Sequence, residues 1–257
     1  MDELGLRVDF EEIGHVFKPQ ELTNLLYSYA RAAHPAPALF AAVAKQIDSG
    51  RAAALRGWRV RDICNAMWAY AAADERHFRL IEACCDALTH LAFDWERAHL
   101  TQLQQWMVWW EVELQRAAAS WAIPELRQRC RSALASGDEA NGHTVSQFQR
   151  SVDAALRRLR IACVEEFTTP EGYSIDLAVP DRSIAIEVDG PHHFAQAPSY
   201  AITGATVLKR RQLRALGWAC VAIPFFEWYP LSGDLGAEER YLQAALTSAS
   251  AGSGTAR

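Results

Sequence analysis

Between Phe17 and Leu88 the apolar residues recur three or four apart, in two blocks that match each other at an offset of 41 positions. Phe17 falls on Trp58, Leu22 on Ile63, Asn24 on Asn65, Leu26 on Met67, Tyr27 on Trp68 and Tyr29 on Tyr70. The match continues through Leu39, Ala44 and Ile47 onto Leu80, Cys85 and Leu88. Each block predicts a helical hairpin, and Leu103 to Trp110 predicts a degraded third copy about 40 residues beyond Ile63 to Tyr70. Such a unit cannot bury its apolar face alone, so the pattern predicts an α-solenoid over residues 1–135. A further helix is expected over 121–135, with Pro124 near its start.

The period changes after a loop-like linker at 136–143, and residues 144–248 predict a second domain in which short strands alternate with helices. Thr144 is a candidate N-cap for a helix to about Leu159. Strands are expected at 161–167, 173–179 and 183–189. A loop containing Pro191 and Pro198 then leads to a helix from about Tyr200 to Leu216, a strand at 218–224 and a last helix over about 237–246. The tail 249–257 is small and polar and is expected to be disordered. The fold class is therefore α+β with two domains.

Composition narrows the function. The net charge of −5 disfavours bulk electrostatic binding of nucleic acid, so any such binding must come from local patches. Six cysteines without a Cys-x-x-Cys pair argue against a zinc site or a secreted disulfide framework. No apolar run approaches the roughly 20 residues that span a bilayer. The acidic start, Met1-Asp-Glu-Leu-Gly-Leu-Arg, lacks the features of a signal or transit peptide. It fits a cytosolic protein or a piece of a longer precursor.

The chemistry concentrates between Tyr173 and His193. Alternation along a strand puts Glu187 and Asp189 on one face, with Asp176 at the end of the neighbouring strand. These three carboxylates, with Glu166 as a fourth, can hold Mg²⁺ or Mn²⁺ or be the remains of such a site. His192 and His193 follow the Gly190-Pro191 turn. They are candidates for acid–base or phosphate contact, or for a loop-ordering bond to Asp189. In the helix after them, Ile202, Ala205, Leu208, Leu213 and Leu216 form one stripe that includes Lys209. Lys209 is thus expected to reach the carboxylates, as a catalytic group or as a structural ion pair with Glu187 or Asp189. Arg210, Arg211 and Arg214 are expected to face away as a basic surface, with Arg157 and Arg158 as further candidates for nucleic-acid contact.

Two resemblances add to this. The pattern Phe-x-Pro-Gln-x-Leu-x-Asn-x-Leu-Tyr/Trp-x-Tyr-Ala in residues 17–47 and 58–88 resembles the octotricopeptide repeats of algal organellar proteins, which bind single-stranded RNA. Gly172-Tyr-Ser-Ile-Asp176, Ala185-Ile-Glu187-Val-Asp189-Gly-Pro191-His192-His193-Phe194, Thr206-Val-Leu-Lys209-Arg210-Arg211, Leu216-Gly217-Trp218 and Pro224-Phe-Phe-Glu227-Trp228 resemble the RAP domain of organellar RNA-processing proteins. The element order also resembles the PD-(D/E)XK, Vsr-like endonuclease fold. That fold's Glu-x-Lys is here Glu187-Val188-Asp189, which departs from the catalytic pattern. The resemblances imply a protein of a mitochondrion or chloroplast with single-stranded RNA, an organellar transcript or rRNA, as partner. They imply roles in transcript maturation, stability or translation, with no required cofactor. The alternatives are a metal-dependent endoribonuclease using Asp176, Glu187 and Asp189, which would need Mg²⁺ or Mn²⁺, and a structural subunit of an organellar ribosome with ribosomal or other protein partners.

Overall fold

A computed structural model describes residues 17–48, 55, 57–90, 95–137, 146–194 and 200–252. The acidic start, the proposed cap at Thr144, Pro198, the linker from 138 onward and the tail from 253 lie outside the described residues. Among the described residues no helix is long and apolar enough to cross a membrane.

The first half is built from helices α1 (Pro19–Arg31), α2 (Pro37–Asp48), α3 (Val60–Ala73), α4 (Phe78–His90), α5 (Arg97–Val108) and α6 (Pro124–Ala135). A π-helical turn, Trp109–Glu113, extends α5. Helix α1 packs on α3, α3 on α5 and α5 on α6, while α2 packs on α4. The first helices of successive units thus lie side by side. Their apolar rows, including Leu22, Leu26, Ile63, Met67, Leu100, Leu103 and Trp106, form one buried core. Tyr70, Trp106 and Trp109 are fully buried there, which assigns most of the aromatic pattern to packing.

The third unit departs from the expected spacing. The residues before α1, α3 and α5 are Lys18, Arg59 and Glu96, so the second step is 37 residues and not about 40. Cross-helix hydrogen bonds keep that register: Gln102 Nε2 donates to Asn65 Oδ1 at 2.9 Å, and Trp68 Nε1 donates to Gln105 Oε1 at 2.7 Å. Apolar residues matched by type, Leu103 on Ile63, conceal that shift of about one helical turn.

The second half follows the expected order, with α7 (Gln147–Arg158), β1 (Val164–Thr168), β2 (Ser174–Val179), β3 (Ile184–Asp189), α8 (Gly204–Ala215), β4 (Ala219–Pro224), a four-residue helix α9 (Phe225–Trp228) and α10 (Leu235–Gly252). Ser146 caps α7, accepting from Gln149 N–H. The sheet runs β1-β2-β3-β4, antiparallel except for the parallel pair β3-β4. Leu177, Val179, Ile184, Ile186 and Val188 face α7 and α10, with Trp228 buried among them. The opposite face of β3, carrying Ala185, Glu187 and Asp189, turns towards α8. Helix α10 continues to Gly252, so the first residues of the expected tail are helical. Their alanines favour helix, a preference that a small-and-polar composition conceals.

Helix α8 joins the halves. Its Leu213 packs on the sheet with Ile175 and Ala178, while its Leu208 enters the core of the helical half. A glycine is required at each of two junctions between the halves. A Cβ on Gly204, at the start of α8, would sit 1.8 Å from the Ala30 carbonyl oxygen of α1. On Gly172, in the β1–β2 turn with φ +97°, it would sit 2.6 Å from the Arg131 carbonyl oxygen of α6.

Candidate functional site

Antiparallel pairing of β2 with β3 ends at Leu177 opposite Ile186. One step further, the Asp176 carboxylate takes the place of a ladder acceptor, receiving the Val188 N–H at 2.7 Å. By strand alternation Asp176 lies on the face that carries Glu187 and Asp189, opposite that of Leu177 and Val179. Glu187 and Asp189 are almost fully buried, at 2% and 0% exposure.

Two cations from α8 meet them. Lys209 Nζ lies 2.5 Å from Glu187 Oε2, and the Arg210 guanidinium pairs with Asp189 Oδ2. Burial pushes the Glu187 carboxyl up to about 7, opposed by Lys209. Burial also raises Asp176, opposed by Lys209 and the Val188 N–H. Asp189 is raised by burial against the pull of Arg210. Burial depresses Lys209, but Glu187, Asp176 and Asp189 together outweigh it and hold the ammonium above its ordinary value. Lys209 therefore sits among all three acids, in keeping with its place in the apolar stripe.

The expected basic surface does not form. Arg210 turns inward to Asp189, and Arg211 turns to the helical half. There its Nε donates to Glu113 Oε2 at 2.6 Å and its terminal nitrogens to the Ala71 and Ala72 carbonyls. Those carbonyls end α3, where a cation offsets the negative end of the helix. The reason is that α8 is covered on two sides. One side, with Lys209, Arg210 and Leu213, meets the sheet, and another, with Leu208, Arg211 and Gln212, is buried against the helical half. Gln212, fully buried, donates to the Gln105 carbonyl at 2.7 Å and accepts from Tyr173. Only Arg214 of the three arginines remains exposed. Arg157 is exposed and pairs with Asp153 and Glu165, and Arg158 pairs with Glu238 and Glu239. Sequence reasoning misses Arg211, Gln212 and Tyr173 as groups that join the halves, since nothing in a helical period tells what covers a polar face.

Glu166 lies near enough to Asp176 to help raise its carboxyl, but its hydrogen bonds tie it to α7 and β2 and not to α8. With φ of 50° it breaks the alternation of β1, and its two oxygens accept from Gln149 Nε2 at 2.9 Å and Ser174 Oγ at 3.2 Å. Among the described residues no three His, Cys, Asp or Glu side chains are arranged to hold a metal ion. Glu187 Oε1 and Asp189 Oδ1 are buried without a hydrogen-bond partner among those residues, but the other oxygen of each already binds a cation. His193 Nδ1 lies 3.3 Å from Thr206 Oγ1 and 3.6 Å from Asp189 Oδ1. Burial, then the charges of His192, Lys209 and Arg210, push its imidazole down to about 4, so it is neutral at pH 7 and ties the loop to α8. His192 is exposed beside it.

The loop, the end of β3 and helix α8 lie in residues that match a family model: residues 186–244 fit the model described as RAP domain. The chain carries a RAP domain. The match takes in Glu187, Asp189, His192, His193, Lys209, Arg210, Arg211 and Arg214, but leaves Asp176 and Glu166 outside it. A relative from Oryza sativa subsp. japonica, "RAP domain-containing protein, chloroplastic", is 34% identical over 94 residues, covering 37% of this chain. The chain spans 14% of that relative's length. The RAP domain therefore contributes both cations of the acidic cluster and two of its three carboxylates, while β2 contributes the third.

Above the cluster the RAP domain and the first helices of the helical half enclose a cleft of about 430 Å³. Tyr27, Arg31, Trp68, Gln105, His192 and Lys209 are among the residues that line it. A second lobe of about 580 Å³ continues along α5, past Arg97 and Gln102.

Proposed function

We propose that the chain is an RNA-binding protein of organellar RNA metabolism, acting in transcript maturation, stability or translation. The observation that carries this reading is the RAP domain lying against side-by-side helical hairpins whose repeat resembles an RNA-binding array. The chloroplastic RAP-containing relative supports an organellar setting, in a chloroplast or a mitochondrion. On this reading the helical half is a short α-solenoid, with the domain boundary at 136–143. The sheet with its crossover helix is a PD-(D/E)XK-like fold in which binding has outlived cleavage.

Metal-dependent cleavage is the second reading, favoured by the approach of Lys209 to Glu187. The surroundings of the acids speak for binding instead. Two of the three carboxylates are buried and each is already neutralised by a cation from α8, so their residues do not fit a divalent ion, which needs several converging oxygens. Lys209 and Arg210 then serve the fold, holding α8 to β3.

The test is a titration of the full chain into labelled single-stranded RNA. Saturable binding is expected at about 50 mM salt, with log K falling against log[salt] by roughly 0.7 for each phosphate contacted. Absence of binding at that salt sinks the proposal.

A further inference from the structure

We propose that the two-lobed cleft between the RAP domain and helices α1, α3 and α5 is where single-stranded RNA is seated. Arg31, His192 and Arg97 would contact its phosphates, and Tyr27 would stack on a base. This rests on the RNA-binding reading above and gives it a location.

Charge is the first argument. The chain has 31 Asp and Glu against 26 Lys and Arg, yet among the described residues that line either lobe there is no carboxylate. The lining instead carries Arg31, Arg97 and His192, beside the neutral His193 and Lys209, whose charge is paired with Glu187. Arg31 is exposed and makes no ion pair among the described residues, in contrast with Arg157, Arg158, Arg210 and Arg211, which are all engaged. A cationic concavity in an anionic chain concentrates an anionic ligand and excludes most of the surface from competing for it.

The chemistry between the cations also fits RNA. Tyr27 is half-buried, with its ring 4.9 Å from the Trp68 ring at 45°, so it lies on a buried aromatic support beside the cleft. Trp68 in turn donates to Gln105 Oε1, and Gln105 also bonds Tyr173, so the support under the ring is fixed from both halves. Gln102 donates to Asn65 and holds α5 to α3 in the same wall. A braced ring between cations suits a nucleotide, which presents a π-face beside a phosphate. An acidic peptide would use the cations and leave the ring idle. Each lobe has the size of a small-ligand pocket, roughly 300–1,000 Å³.

The experiment uses the full chain and short fluorescein-labelled single-stranded RNA, read by anisotropy. The double variant Arg31→Ala, His192→Ala changes two exposed side chains. It is expected to weaken binding about tenfold and to reduce the salt slope by roughly 0.7 for each phosphate no longer neutralised. Tyr27→Ala is expected to weaken binding about five- to 100-fold with the salt slope unchanged, as removal of one stacking platform would. Arg214→Ala, outside the cleft, is expected to bind as the unsubstituted chain does. Circular dichroism of each variant separates weakened RNA binding from unfolding. Photocrosslinking of RNA carrying 4-thiouridine supplies a readout on the unsubstituted chain, with adducts expected on peptides from α1 and α3. Wild-type binding together with undiminished binding by the double variant and by Tyr27→Ala overturns the location and leaves the RNA-binding reading standing. No wild-type binding overturns both. Displacement of RNA by poly-glutamate as readily as by unlabelled RNA also overturns the proposal, since it marks an anion or acidic-peptide site without base recognition.

Discussion

Lys209→Met is expected to destabilise the chain by about 3 kcal/mol near pH 8, a fall of roughly 6–12 °C in Tm. The substitution keeps the aliphatic stem and removes the ammonium, leaving Glu187 buried without its partner. Breaking a buried pair costs about 3–5 kcal/mol, and the 23% exposure of the Lys209 side chain argues for the lower end. The pH dependence separates charge from packing. Burial has already raised the Glu187 carboxyl to about 7, and loss of Lys209 removes the chief influence opposing that rise. A carboxyl raised in the folded state binds its proton more tightly there than in the unfolded chain. Stability therefore falls as pH rises from the ordinary carboxylate value through the raised one. With a still higher value in the variant, its deficit should be largest near pH 8 and shrink towards about pH 5.5, where Glu187 is protonated in both proteins. Urea denaturation of Lys209→Met, Glu187→Gln and the double variant checks this. The double variant should recover much of the loss, because both partners of the pair are gone. A deficit that is the same at both pH values would assign Lys209 to packing alone.

Gly204→Ala is the second large effect. On helix propensity the change should stabilise α8 by up to about 1 kcal/mol. In the folded chain the added Cβ falls 1.8 Å from the Ala30 carbonyl oxygen and 2.8 Å from its carbon, both backbone atoms that cannot turn aside. The start of α8 must move off α1, at a cost of about 1–3 kcal/mol or more. Hydrogen exchange should then quicken in α8 and at the end of α1, and RNA binding should weaken because Ala205 and Thr206 belong to the cleft wall. A stabilised variant with unchanged exchange would mean that the halves do not meet at this glycine.

Much of the C-terminal layout is legible because a strand has a period of two. Alternation alone puts Glu187 and Asp189 on one face, and the position of Lys209 in the apolar stripe puts it opposite them. The helical period is less informative for α8. Its apolar stripe runs from Leu213 on the sheet to Leu208 in the core of the helical half, so it does not tell the two contacts apart, and treating the remainder as solvent-exposed makes a basic surface of Arg210 and Arg211. A buried polar face leaves no apolar signature, and Gln212 and Arg211 look the same in sequence whether they meet water or a carbonyl. The third hairpin falls a helical turn out of place because leucines and tryptophans match at several registers, whereas the Asn65–Gln102 and Trp68–Gln105 bonds allow one. The stripe also makes Lys209 a candidate partner of Glu187, and the two do meet; the pairing of Arg210 with Asp189 is what the helical period does not show.

The most direct test of an RNA-binding domain whose acidic cluster is closed by its own cations is a single binding and cleavage assay. End-labelled single-stranded RNA is incubated with the full chain in EDTA and, in parallel, in Mn²⁺, and both the bound fraction and the RNA length are read. The account predicts equal binding in the two conditions and full-length RNA throughout. Binding that requires Mn²⁺, or Mn²⁺-dependent cleavage that Glu187→Gln abolishes, would contradict it.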